Sequence, residues 1–128
     1  MTRSTLAIFT LLAAVTLPAL AEDDGYTAAY APCMDAAVST QDIVECTDEE
    51  TLKQDGRLNR GYKAALQGFS DEQQPRLRDA QRLWVKYRDA NCELYANLTG
   101  GTIDLINSAS CVLDMTKTRA AELEQLAE

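Results

Sequence analysis

Four cysteines, Cys33, Cys46, Cys92 and Cys111, and a set of spaced polar residues are the parts of this 128-residue chain that could do chemistry. The chain contains no histidine, so Ser-His-Asp and Cys-His nucleophile arrangements are excluded. No two cysteines stand at C-x-x-C spacing and there is no histidine, so a zinc site is the weaker reading of the four. Cysteines that are all oxidised offer no thiolate nucleophile. Carboxylates are plentiful, as in Asp48-Glu49-Glu50, but a glycosidase needs two of them held about 5–10 Å apart across a cleft. A four-helix domain of this size offers little room for one, and the acidic run reads as a solvated helix face. The sequence therefore implies no catalytic residues, no metal and no cofactor: a binding protein and not an enzyme.

An even cysteine count in a small exported chain reads as two disulfides. Four cysteines allow three connectivities, and turn symmetry selects among them. Two helices that fold back on each other set residues opposite when these are equidistant from the turn. Cys92 and Cys111 are equidistant from Gly101-Thr102, and Cys33 and Cys46 from Ser39-Thr40. Local pairing follows, Cys33–Cys46 and Cys92–Cys111, each bridge worth very roughly 3 kcal/mol.

These residues must be positioned by helices. Gly and Pro are few, and apolar residues recur at threes and fours. Gly68 followed by Ser70-x-x-Gln73 marks one stop and restart, with a capping box. Gly100-Gly101-Thr102 marks another, with Thr102 as N-cap and Asp104 in the first turn. Ser39-Thr40 is a softer break. Helices are predicted at about 27–38, 40–67, 72–98 and 103–126. The expected inward stripes are Asp55, Asn59, Tyr62, Leu66 and Phe69; Leu77, Gln81, Trp84, Arg88, Cys92 and Tyr95; and Leu105, Ala109, Val112, Met115, Leu123 and Leu126. The fold class is all-α: a small up-down bundle of about four helices stapled by two disulfides.

The hairpin construction about the middle turn sets Leu66 opposite Leu77, Tyr62 opposite Gln81, Asn59 opposite Trp84 and Asp55 opposite Arg88. Arg88 lies one turn before Cys92 and so points inward, where a guanidinium needs a carboxylate. Asp55 is the expected partner, with Asn59 and Gln81 completing a structural polar cluster.

The N-terminus has the three-part layout of a secretory signal peptide: Arg3, an apolar run from Leu6 to Leu20, and Ala19-Leu20-Ala21 before Glu22. Cleavage after Ala21 leaves one domain, 22–128, periplasmic or secreted, with no second apolar stretch to insert in a membrane. Losing Arg3 makes the mature chain one unit more negative than the −8 of the whole. Nucleic acid is a poor partner for it and a cationic protein a sensible one.

An ordered set of motifs resembles the LprI-type lysozyme-inhibitor domain, a family of small exported helical proteins. The set comprises Cys33…Cys46, Asp55-x-x-Leu58-Asn59-x-x-Tyr62, Leu77-Arg78-x-Ala80-Gln81-Arg82-x-Trp84, Arg88-Asp89-x-x-Cys92, Gly100-Gly101-Thr102, Cys111 and Thr118-Arg119. The resemblance implies the same helical fold and a protein partner, a cationic lysozyme, whose cleft would be occluded. The edge offered to that cleft is the turn carrying Asn97, Gly100, Gly101 and Thr102. The alternative is a cell-envelope or stress-related module with another protein partner. The chain departs from the family's lipoprotein namesake in lacking a lipid-attachment cysteine.

Overall fold

The computed structural model describes residues 24–128. The expected leader at 1–21 lies outside the described residues. Four helices follow in order: α1 (Tyr30–Ala36), α2 (Thr40–Gly68), α3 (Gln73–Tyr95) and α4 (Ile103–Gln125). Among the described residues there is no strand.

Local chemistry sets the boundaries. Ser39 caps α2 in a full capping box: its hydroxyl accepts from the Asp42 N–H at 3.1 Å, and the Asp42 carboxylate accepts from the Ser39 N–H at 3.0 Å. The Ser70 box forms by half. Gln73 Oε1 accepts from the Ser70 N–H at 3.0 Å, while the α3 N-cap position, Glu72, makes no side-chain cap. Pro75 sits in the first turn of α3, where a missing N–H costs little.

The two disulfides are those expected from turn symmetry. Cys33 and Cys46 join α1 to α2 with their Cα atoms 5.8 Å apart, and Cys92 and Cys111 join α3 to α4 at 5.5 Å. Both spans suit an ordinary disulfide.

The packing differs from the expected middle hairpin. α4 packs most extensively on α2 and also on α3, whereas α2 and α3 have no comparable contact with each other. The buried cluster is Leu58, Ala65, Leu77, Ala120 and Leu123, with Tyr62, Leu66, Phe69 and Trp84 packed against it. Small residues explain the preference of α2 for α4. A Cβ added to Gly61 would lie 3.1 Å from the Glu124 amide nitrogen. Gly61, Ala65 and Ala120 thus let two backbones approach where bulkier side chains would hold them apart.

The buried stripes shift accordingly. On α4 the buried residues are Asp104, Leu113, Thr116, Ala120 and Leu123, while Leu105 and Leu126 of the expected stripe are exposed. On α2 they are Cys46, Thr47, Glu50, Gln54, Leu58, Gly61 and Ala65, one position aside from the expected row. The α3 row is found as expected through Cys92, with Leu77 and Cys92 buried and Gln81, Trp84 and Arg88 half-buried. Tyr95, at its end, is exposed.

Candidate functional site

The α3–α4 turn is a built loop. Asp104, buried in the first turn of α4, reaches back over it. Its carboxylate accepts from the Thr99 N–H at 2.9 Å, the Thr99 hydroxyl at 2.9 Å and the Gly100 N–H at 2.8 Å. Thr99 Oγ1 in turn accepts from the Gly101 N–H at 3.1 Å. The Thr99 amide first, then the Gly100 amide and the Thr99 hydroxyl, hold the Asp104 carboxyl below its ordinary value against the opposing effect of burial. Gly100 has φ +76°, a left-handed conformation that favours glycine. Thr102, the expected N-cap, makes no side-chain cap, and Asp104 supplies the order instead.

The loop is anchored from below and apolar around its rim. Cys92–Cys111 ties its two helices together, and the Ser108 hydroxyl donates to the Cys92 carbonyl at 3.1 Å. Asn97 donates to the Glu93 carbonyl at 3.3 Å, so its amide is occupied locally. Leu94, Leu98, Ile103 and Leu105 are 66, 61, 49 and 54% exposed around the turn. Large apolar residues left exposed on both sides of one ordered turn are a candidate docking feature. The sequence marked the turn but not this apolar rim, because helical periodicity assigned Leu105 to the core.

The four residues of the expected polar cluster line one open groove between α2 and α3, of about 590 Å³. Asp55, Asn59, Gln81 and Arg88 all face it, but they are not bonded as a single cluster. Asn59 donates to Asp55 at 3.0 Å. Arg88 is largely buried, as its place one turn before Cys92 required, yet its carboxylate partner is the neighbouring Asp89 at 2.8 Å and not Asp55. It also donates to the Thr116 hydroxyl at 3.3 Å, and its guanidinium lies 5.2 Å from the Trp84 ring centre. Gln81 accepts from Arg119 of α4 at 3.0 Å. The reason is the packing: α4, not α2, is the close partner of α3, so the bonds run to Thr116 and Arg119.

A third polar assembly went unseen in the sequence. Glu50, expected on a solvated face with Asp48 and Glu49, is fully buried, while those two are exposed. It accepts from the Thr27 N–H at 2.8 Å, the Thr27 hydroxyl at 2.5 Å and Gln54 at 2.7 Å. Burial pushes its pKa up, but the Thr27 and Gln54 bonds and the Lys53 charge outweigh this and hold it below 4.5. Gln54 also donates to the Gly25 carbonyl at 2.8 Å. Lys117 donates to the Asp24 carbonyl at 2.7 Å and lies 3.6 Å from the Tyr26 ring centre, and the Tyr26 hydroxyl donates to Asp114 at 2.7 Å. Residues 24–27 are thereby strapped across α2 and α4.

Among the described residues no group of three His, Cys, Asp or Glu side chains could hold a metal ion. No helix of the described residues is long and apolar enough to cross a membrane.

Comparison with known proteins returns a family model described as Lysozyme inhibitor LprI, matching residues 33–123. The matched stretch runs from the first disulfide into the last turns of α4. An uncharacterized protein of Rhizobium meliloti (strain 1021) is similar to the chain, 33% identical over 106 residues that cover 72% of this chain and 76% of that protein. No solved structure matches.

Proposed function

Because the chain belongs to the LprI lysozyme-inhibitor family, we propose that it is an exported, non-enzymatic binding protein that inhibits a cationic lysozyme by filling its substrate cleft. The observation that carries this reading is the α3–α4 tip. A loop that must enter a cleft has to be ordered before it binds, or the ordering cost is taken from the affinity. Asp104 supplies that order with three accepted bonds, and the disulfide beneath it removes the hinge. Exposed Leu94, Leu98, Ile103 and Leu105 supply apolar surface on either side of Asn97, Gly100, Gly101 and Thr102. The net charge of −8 on the whole chain steers a basic partner toward it.

Export is supported by two disulfides, which persist in oxidising compartments, and by the signal-peptide layout of residues 1–21. The test is the rate at which a lysozyme clears a suspension of bacterial cell walls. A micromolar excess of this protein should slow clearing by at least one of several lysozyme types. No slowing of any of them would remove the inhibitor reading and leave a binding role toward some other envelope protein.

A further inference from the structure

We propose that the open groove between α2 and α3 is a second binding site, one that takes a carboxylate-bearing sugar. The groove lies apart from the α3–α4 tip and shares none of its lining residues with the loop. Its charge is opposite to that of the molecule. Arg78, Arg82, Lys86 and Arg88 line it, against the single carboxylate of Asp55, in a chain whose net charge is −8. Two of those cations are already engaged by carboxylates outside the lining, Arg82 by Asp79 and Arg88 by Asp89. Arg78 is held by the Gln74 amide at 3.0 Å, and among the described residues Lys86 has no carboxylate partner. Both side chains are exposed and able to meet an anion.

The rest of the lining defines what the anion is attached to. Tyr62 and Trp84 supply aromatic walls, and Asn59, Gln81 and Asp55 supply amide and carboxylate groups that can bond hydroxyls. Aromatic surface beside such groups suits a sugar, whose rings have apolar faces and hydroxyl edges. An acidic peptide has no hydroxyl edges for Asn59, Gln81 and Asp55 to bond. The volume, about 590 Å³, falls within the range of small-ligand sites, roughly 300–1,000 Å³.

Trp84 is the only tryptophan in the chain; it lines this groove and also a cleft between α3 and α4, so its fluorescence detects binding and the R78Q and K86Q changes assign it to the groove. The protein is titrated with tetragalacturonate, with the methyl ester of the same oligosaccharide, with tetraglutamate and with inorganic phosphate. A saturable fluorescence change with tetragalacturonate is expected, weakened about tenfold or more by esterification and by the double change R78Q and K86Q. Both substituted side chains are exposed, and unchanged helical circular dichroism verifies the fold. No saturable change, or equal affinity for acid and ester, overturns the proposal. So does an unaltered affinity in the double variant. Equal or tighter binding of tetraglutamate or phosphate overturns the sugar assignment. None of these outcomes bears on lysozyme inhibition, which is read separately by cell-wall clearing.

Discussion

Thr27 binds Glu50 twice, through its N–H at 2.8 Å and its hydroxyl at 2.5 Å, and so ties the segment before α1 to the buried face of α2. A buried carboxylate is tolerable only when it is hydrogen-bonded, and Gln54 supplies a third bond, with Lys53 Nζ 3.9 Å away. Glu50→Ala would leave the Thr27 and Gln54 donors without their acceptor. The expected loss is about 2–3 kcal/mol in urea denaturation. Limited proteolysis should also begin to cut near residues 24–29. An unchanged midpoint with an unchanged digestion pattern would show that the strap contributes nothing.

Two glycines of α2 should respond oppositely to alanine. At Gly56 a Cβ would meet only the Arg60 side chain, at 3.5 Å, so Gly56→Ala should gain up to about 1 kcal/mol from helix propensity. At Gly61 the Cβ would press on the α4 backbone at 3.1 Å. Gly61→Ala should forfeit that gain, and Gly61→Val should lower the melting temperature outright. A stabilising Gly61→Val would mean that α2 and α4 can separate freely.

Acid should weaken the fold in a defined direction. Glu50, Glu124 and Asp104 bind protons less readily folded than unfolded, Glu124 chiefly because Arg57 bonds its carboxylate. The stability they add is therefore complete above their ordinary values of 4.5 and 3.8 and is lost as pH falls through the lower folded values. Melting temperature should be flat near neutrality and fall below about pH 4. Glu50→Gln should flatten that fall in part. A melting temperature that rises on acidification would contradict the assignment.

The two disulfides should fail differently. α1 has no buried residue, so removing Cys33–Cys46 should free α1 locally, seen as fast hydrogen exchange at residues 30–36, with a modest global loss. Cys92 is buried between two long helices, and removing Cys92–Cys111 should cost very roughly 3 kcal/mol globally. Equal global losses would show that α1 is packed more firmly than its burial indicates.

The loop makes the functional prediction. Asp104→Ala should free Thr99 and Gly100, abolish inhibition of cell-wall clearing and leave the helical circular dichroism in place. Leu98→Asp should weaken inhibition without touching the loop's hydrogen bonds. Association of the wild type should slow as salt rises from about 50 to about 300 mM, as the screening length falls below ~10 Å. Inhibition that persists in Asp104→Ala would move the contact away from this tip.

The helices, their breaks and both disulfides were legible in the chain, because each is a local matter. Ser39 and Asp42 cap within one turn, Gly100 breaks within one residue, and cysteines equidistant from a turn meet whenever the turn closes. The α3 row through Arg88 and Cys92 was legible for the same reason: the disulfide points that face at α4. The partners of those faces were not. Gly61, Ala65 and Ala120 carry almost no hydrophobic signal, yet their smallness is what brings α2 against α4 and leaves α2 and α3 apart. That one packing choice sends Arg88 to Thr116 and Gln81 to Arg119, and it opens a groove where a closed Asp55–Arg88 pair was expected. Glu50 was equally hidden. A carboxylate in an acidic run reads as solvated until the chain before α1 folds over it, and only the tertiary structure brings Thr27 within hydrogen-bonding reach.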